Sequence, residues 1–138
     1  MKQLLTAVAL SGFTSLVMAE TQAVTVILSD ASNMTQGMAM VLANQMQAQG
    51  AQVDILLCDQ AGALALKEAG GEALKPNDVT PAQLLNAAMQ KGATASVCAL
   101  YLPNTGYTQA QLKEGVSVAK PDAMARAMLE AQRKVFSF

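Results

Sequence analysis

Histidine is missing from all 138 residues, and so is tryptophan. The first absence excludes Ser-His-Asp and Cys-His catalysis, the two-histidine zinc motif and proton shuttling by imidazole. The second, with aromatic residues at 4% of the chain, leaves no platform for stacking bases or sugars. Charge is sparse as well. Charged residues make up 14%, and 9 scattered basic residues face 10 acidic ones for a net charge of −1. A phosphate backbone would find no basic patch here, so no nucleic-acid partner is expected. There is no glycine-rich nucleotide fingerprint, no phosphate-binding loop and no CxxC, and no motif asks for a cofactor. Chemistry on this chain must come from Cys, Asp, Glu, Lys or Tyr.

What the chain does have is apolar bulk. Hydrophobic residues reach 52%, enough for one domain whose strands are buried on both faces. Part of that bulk belongs to a leader. Lys2 precedes the apolar run Leu4 to Leu10, and Val17 and Ala19 occupy the −3 and −1 positions of a small-residue cleavage site before Glu20. Ser11, Gly12, Thr14 and Ser15 interrupt the stretch, which argues against a membrane anchor. No Cys follows the cut, so no lipid anchor is expected. The reading is a signal peptide over residues 1–19 and one mature domain over 20–138. That domain has no later apolar run long enough to span a bilayer and should be periplasmic, in an oxidising compartment.

Within the mature chain, Val24 to Leu28 is a β-branched run of the buried-strand kind. Met34 to Gln49 reads as a helix with Met38, Leu42 and Met46 facing inward, stopped at Gly50. Val53 to Cys58 is a second strand, and Ala61 to Ala69 a short helix. Thr80-Pro81-Ala82-Gln83 is a strong helix start, in which Thr caps, Pro takes the first turn and Gln bonds back. Thr94 to Tyr101 is a third strand, and Thr108 opens another short helix. Val116 to Ala119 is a short strand, Pro121 opens a last helix with Met124 and Met128 inward, and Val135 to Phe138 closes the sheet. Strand and helix alternate without a hairpin signal, which predicts a mostly parallel sheet of about five strands with helices on both faces. The loops after Leu28, Cys58 and Tyr101 then share the carboxyl edge, where ligands bind in open α/β sheets.

Cys98 falls near the end of the third strand, beside a turn carrying Asn104, Gly106 and Tyr107. A thiol at that edge is placed where a thiolate can be stabilised, although a free Cys is more often a small buried hydrophobe. Cys58 ends the second strand, and an even cysteine count in an exported chain invites a Cys58–Cys98 disulfide. Whether the two can join depends on strand order, which the residues leave open. Asp30 and Asp59 follow strand ends and either share the edge with Cys98 or cap helices. Met34, Met38 and Met40 could be thioether ligands for Cu(I), but core filling is the better reading, and no metal is assigned.

Several stretches together resemble the DsrE/DsrF/TusD-like family, which includes subunits of bacterial sulfur-relay complexes. Val24 to Leu28 looks like its first strand, and Ala39 to Val53 like its first helix and turn. Leu84 to Cys98, with Gly92-Ala93 before the strand, is similar to the run into the family's functional cysteine. Gly106 follows at the spacing of the family's loop glycine, Leu112 to Val116 matches its Leu-x-x-Gly-Val segment, and Lys134 to Phe138 its terminal strand. Thr105 stands where relatives often carry Arg. The resemblance implies a three-layer α/β/α sandwich, assembly into trimers or hexamers, and a persulfide sulfur accepted at Cys98 and passed to a partner protein. It describes a carrier rather than a turnover enzyme. The rival readings are a structural module with inert or bridged cysteines and a Met/Cys metal-handling protein.

Overall fold

The computed structural model describes residues 20–138, so the leader read over residues 1–19 lies outside the described residues. Along the chain come β1 (Ala23–Leu28), α1 (Asn33–Ala48), β2 (Gln52–Leu57), a 3-10 stretch (Asp59–Ala65), α2 (Pro81–Gln90) and β3 (Thr94–Val97). They are followed by α3 (Tyr101–Thr105), a 3-10 turn (Gln109–Gln111), β4 (Val116–Val118), α4 (Pro121–Met128) and β5 (Lys134–Ser137). The five strands form one sheet in the order β4-β3-β2-β1-β5, and every pairing is parallel. This is the expected α/β sandwich.

The first three crossovers all step the same way across the sheet, whereas the last runs back to the far side of β1. Right-handed crossovers therefore set α1 and α2 on one face and α4 on the other. Side-chain alternation makes the two faces chemically different. Val24, Val26, Leu28, Val53, Ile55, Leu57, Ala95 and Val97 point to the α1–α2 side, and none is more than 3% exposed. Fully burying one such branched side chain contributes about 1.5–3 kcal/mol, so this layer is the principal core. The opposite face carries Thr25, Asp54, Thr94, Ser96 and Ser117, and α4 covers it without burying any of its own residues. Met124 and Met128 are half-buried there.

On the polar face one ion pair stitches three strands together. Arg133 donates to Asp54 Oδ2 at 2.6 Å, to Thr25 Oγ1 at 3.1 Å and to Glu130 Oε2 at 3.0 Å, while Thr94 Oγ1 donates to Asp54 Oδ1 at 2.6 Å. Burial alone would lower the Arg133 pKa, but hydrogen bonds and charge from Asp54 and Glu130 outweigh it and the net shift is upward.

Two expectations need correcting. Met38 does not face inward: it is 51% exposed and Met34 74%, while the buried face of α1 is Gln36, Gly37, Ala39, Met40, Ala43 and Asn44. Small residues let α1 approach its neighbours closely, and a Cβ on Gly37 would lie 2.1 Å from Leu74 Cδ1. Met40 is thus core, separated from Met34 and Met38, and the three thioethers do not form one group. The strand ends were also read too long. β2 stops at Leu57 and β3 at Val97, where their ladders end, and Tyr101 has already entered α3. The start at Thr80 forms as expected, with Gln83 N–H donating to Thr80 Oγ1 and Thr80 N–H to Gln83 Oε1.

Candidate functional site

β2 and β3 are adjacent, and their register pairs Leu57 with Val97. Cys58 and Cys98 are the next residue on each strand, so the two cysteines stand side by side at the carboxyl edge. Backbone bonds hold both there: Cys58 N–H donates to Leu28 O and Cys98 N–H to Leu57 O, each at 2.9 Å. The Cys98 side chain is near enough to act on the Cys58 thiol. Both are free thiols, and both are half-buried rather than enclosed.

The pair opens into a cleft of about 930 Å³ lined by Asp59, Gln60, Leu100, Tyr101, Asn104 and Tyr107 among others. The 3-10 stretch and α3 form its walls. Tyr101 is buried and stacks on Tyr107 with ring centroids 6.3 Å apart and planes 18° from parallel. Its ring lies directly over Gly62, where a Cβ would meet Tyr101 Cε2 at 2.2 Å. Burial, and then the neighbouring Tyr107, push the Tyr101 phenol above its ordinary pKa. Gly106 ends α3 in the left-handed region at φ 76°, a conformation that suits glycine and turns the chain toward Tyr107. Asn104 donates its amide to Leu100 O at 2.7 Å and Thr105 its hydroxyl to Tyr101 O at 2.8 Å, which stiffens this short helix.

Burial, followed by the hydrogen bond and charge of Cys98, pushes the Cys58 thiol up to about 12; the Cys98 backbone pulls the other way and Asp59 adds a smaller upward push. Cys58 therefore keeps its proton at neutral pH and can donate it toward the neighbouring sulfur. Among the described residues Asp59 is the one charged residue lining this cleft, and it adopts φ 44°, a left-handed setting that Asp tolerates better than most side chains.

Of the residues expected at the site, Cys58, Cys98, Asp59, Asn104 and Tyr107 come together, with Gly106 between two lining residues. Asp30 does not line this cleft. Its carboxylate accepts from Ser32 N–H at 2.6 Å and its carbonyl from Gln36 Nε2 at 2.8 Å, so it organises the start of α1. Gln60, Ala63, Leu100 and Tyr101 line the cleft without having been singled out. Leu100 is 72% exposed beside the thiols, an apolar surface that the strand reading of Thr94 to Tyr101 concealed. Gln60, Ala63 and Tyr107 also border a second hollow of about 730 Å³ lined by Asn33, Gln36 and Lys67 among others.

Neither a protein-family model nor a curated protein matches this chain by sequence. Solved structures resemble it in fold. The YchN protein of E. coli superposes with a TM-score of 0.68 at 18% identity, over 86% of this chain and 100% of its own. Protein MTH1491 of Methanobacterium thermoautotrophicum, described as of unknown function, gives a TM-score of 0.66 at 13% identity over the same shares. Identities this low speak for the fold alone, and that fold is a DsrE-like α/β sandwich.

Proposed function

We propose that this is a periplasmic DsrE-like homo-oligomer that carries sulfane sulfur on Cys98. The observation that carries the reading is the position of that thiol: half-exposed, at the carboxyl edge of a parallel sheet, at the mouth of a cleft. Loading is an exchange in which Cys98 attacks a persulfide, takes its outer sulfur as Cys98–S–SH and releases the donor as a thiol. Delivery is the same exchange in reverse, toward an acceptor thiol. Neither step needs histidine or a metal. The resemblance over Leu84 to Cys98 supports the assignment of Cys98, and the DsrE-like fold supports the family.

The lining favours a donor that brings its own contacts. Asp59 repels small anions and, among the described residues, no Lys or Arg lines the cleft to offset it, whereas Leu100 and the Tyr pair offer apolar contact. A persulfide borne on a protein partner fits better than a free dianion. Export rests on the leader features around Lys2, Val17 and Ala19, and it places the mature amino terminus at Glu20.

The test is to expose the reduced mature protein to a sulfane-sulfur donor and weigh the intact chain. A gain of about 32 Da, one sulfur atom, is expected on wild type and not on Cys98→Ser. Equal loading of both proteins, or none on either, would overturn the reading.

A further inference from the structure

We infer that Cys58 is a resolving thiol for Cys98, converting an undelivered persulfide into an intrachain disulfide and releasing sulfide. The inference rests on the carrier reading and extends it to a second residue. The two cysteines occupy the same register position on neighbouring parallel strands, one step beyond the Leu57–Val97 pair. Neighbouring strands lie about 4.8 Å apart, and a disulfide spans Cα atoms roughly 4.4–6.8 Å apart. The Cα spacing of such a pair is therefore within bridging range. Cys58 and Cys98 line the same cleft, and neither is bridged to another cysteine.

The step balances without an outside oxidant. Cys58 Sγ attacks Cys98 Sγ, the bond between Cys98 Sγ and its outer sulfur breaks, and the Cys58 proton leaves with the departing sulfur as H₂S. The zero-valent sulfane sulfur is reduced to sulfide while the two protein thiols are oxidised to a disulfide. An external dithiol returns the pair to the reduced state. Because Cys58 holds its proton at neutral pH, only a small thiolate fraction is available for attack. Resolution is accordingly slow, which leaves time for an acceptor to collect the sulfur first.

The experiment loads wild type, Cys58→Ser and Cys98→Ser with inorganic polysulfide, removes the donor by desalting, and follows sulfide release and intact mass after alkylation. Wild type is expected to lose its extra sulfur, release one sulfide per chain and end two hydrogens lighter with both cysteines closed to alkylation. Cys58→Ser is expected to keep its extra sulfur longer by about an order of magnitude or more, since its resolving thiol is gone. The same persulfide lifetime in wild type and Cys58→Ser would overturn the resolving role and leave the carrier standing. So would a wild-type product linked between two chains. Failure of wild type both to take up sulfur and to release sulfide, or equal uptake by Cys98→Ser, would remove the carrier itself.

Discussion

At Cys58 burial, the hydrogen bond to Cys98 and the charge of Cys98 all act in the same sense, and together they carry the thiol from its ordinary 9.0 up to about 12. The sign of the consequence follows directly. A folded-state pKa above the unfolded value means that the native protein holds the proton more tightly, so this contribution to stability is complete below pH 9.0 and is lost as pH rises toward about 12. Urea unfolding of wild type and Cys58→Ser between pH about 8 and about 10 should therefore show a steeper fall in midpoint for wild type. Equal slopes would contradict the shift. Alkylation of Cys58 should be slow at neutral pH, and faster in Cys98→Ser, where burial remains but the Cys98 thiol no longer acts on it. Little of this was legible from the residues. Cys98 and the turn at Gly106 stood out by position, but the neighbour that shifts Cys58 lies 40 positions away and is brought alongside only by strand order. Gly62 beneath Tyr101 is a similar case, because nothing local announces which ring a buried glycine will meet.

Among the elements, those with strong local signals were read well. β1 is a β-branched run, and α2 begins with a reciprocal cap that needs no tertiary context. α1 was placed correctly along the chain but rotated, since its methionines looked like the apolar stripe while Gly37, Ala39 and Ala43 make the close contacts. β5 shows the opposite dependence. All four of its residues are exposed, and among the described residues it pairs with β1 alone. Its attachment owes much to Arg133, whose side chain is 8% exposed beside an Asp54 that is 22% exposed. Arg133→Ala would leave Asp54 with only the Thr94 hydroxyl, at a cost of roughly 3 kcal/mol, somewhat below that of breaking a fully buried pair. Thermal or denaturant unfolding should register the loss, and hydrogen exchange should quicken first in Val135 to Ser137. Unchanged protection there would mean that backbone pairing suffices.

On the scale of the whole molecule, several large apolar side chains stand on the surface. Met34, Met38 and Val41 follow one another along the outer side of α1 at 74%, 51% and 38% exposure, and Leu129, Val135 and Phe136 are exposed elsewhere. These residues support the proposed assembly of identical chains. Light scattering of the mature protein should give a multiple of the single-chain mass, and Met38→Glu should reduce it if the α1 stripe is a contact. A monomer at every concentration would remove the oligomer from the proposal. Among the described residues no helix is long and apolar enough to cross a membrane. The placement of β5 beside β1 also bears on how the chain comes to be folded. Ser29 and Phe138, joined by a 2.9 Å backbone bond, are 109 positions apart. In a polypeptide that emerges amino end first, one side of β1 stays open until the segment around residue 134 arrives, and the loop to be closed is nearly the length of the domain. During that interval the open side is a template for any extended strand nearby, so a holding chaperone has its clearest task there.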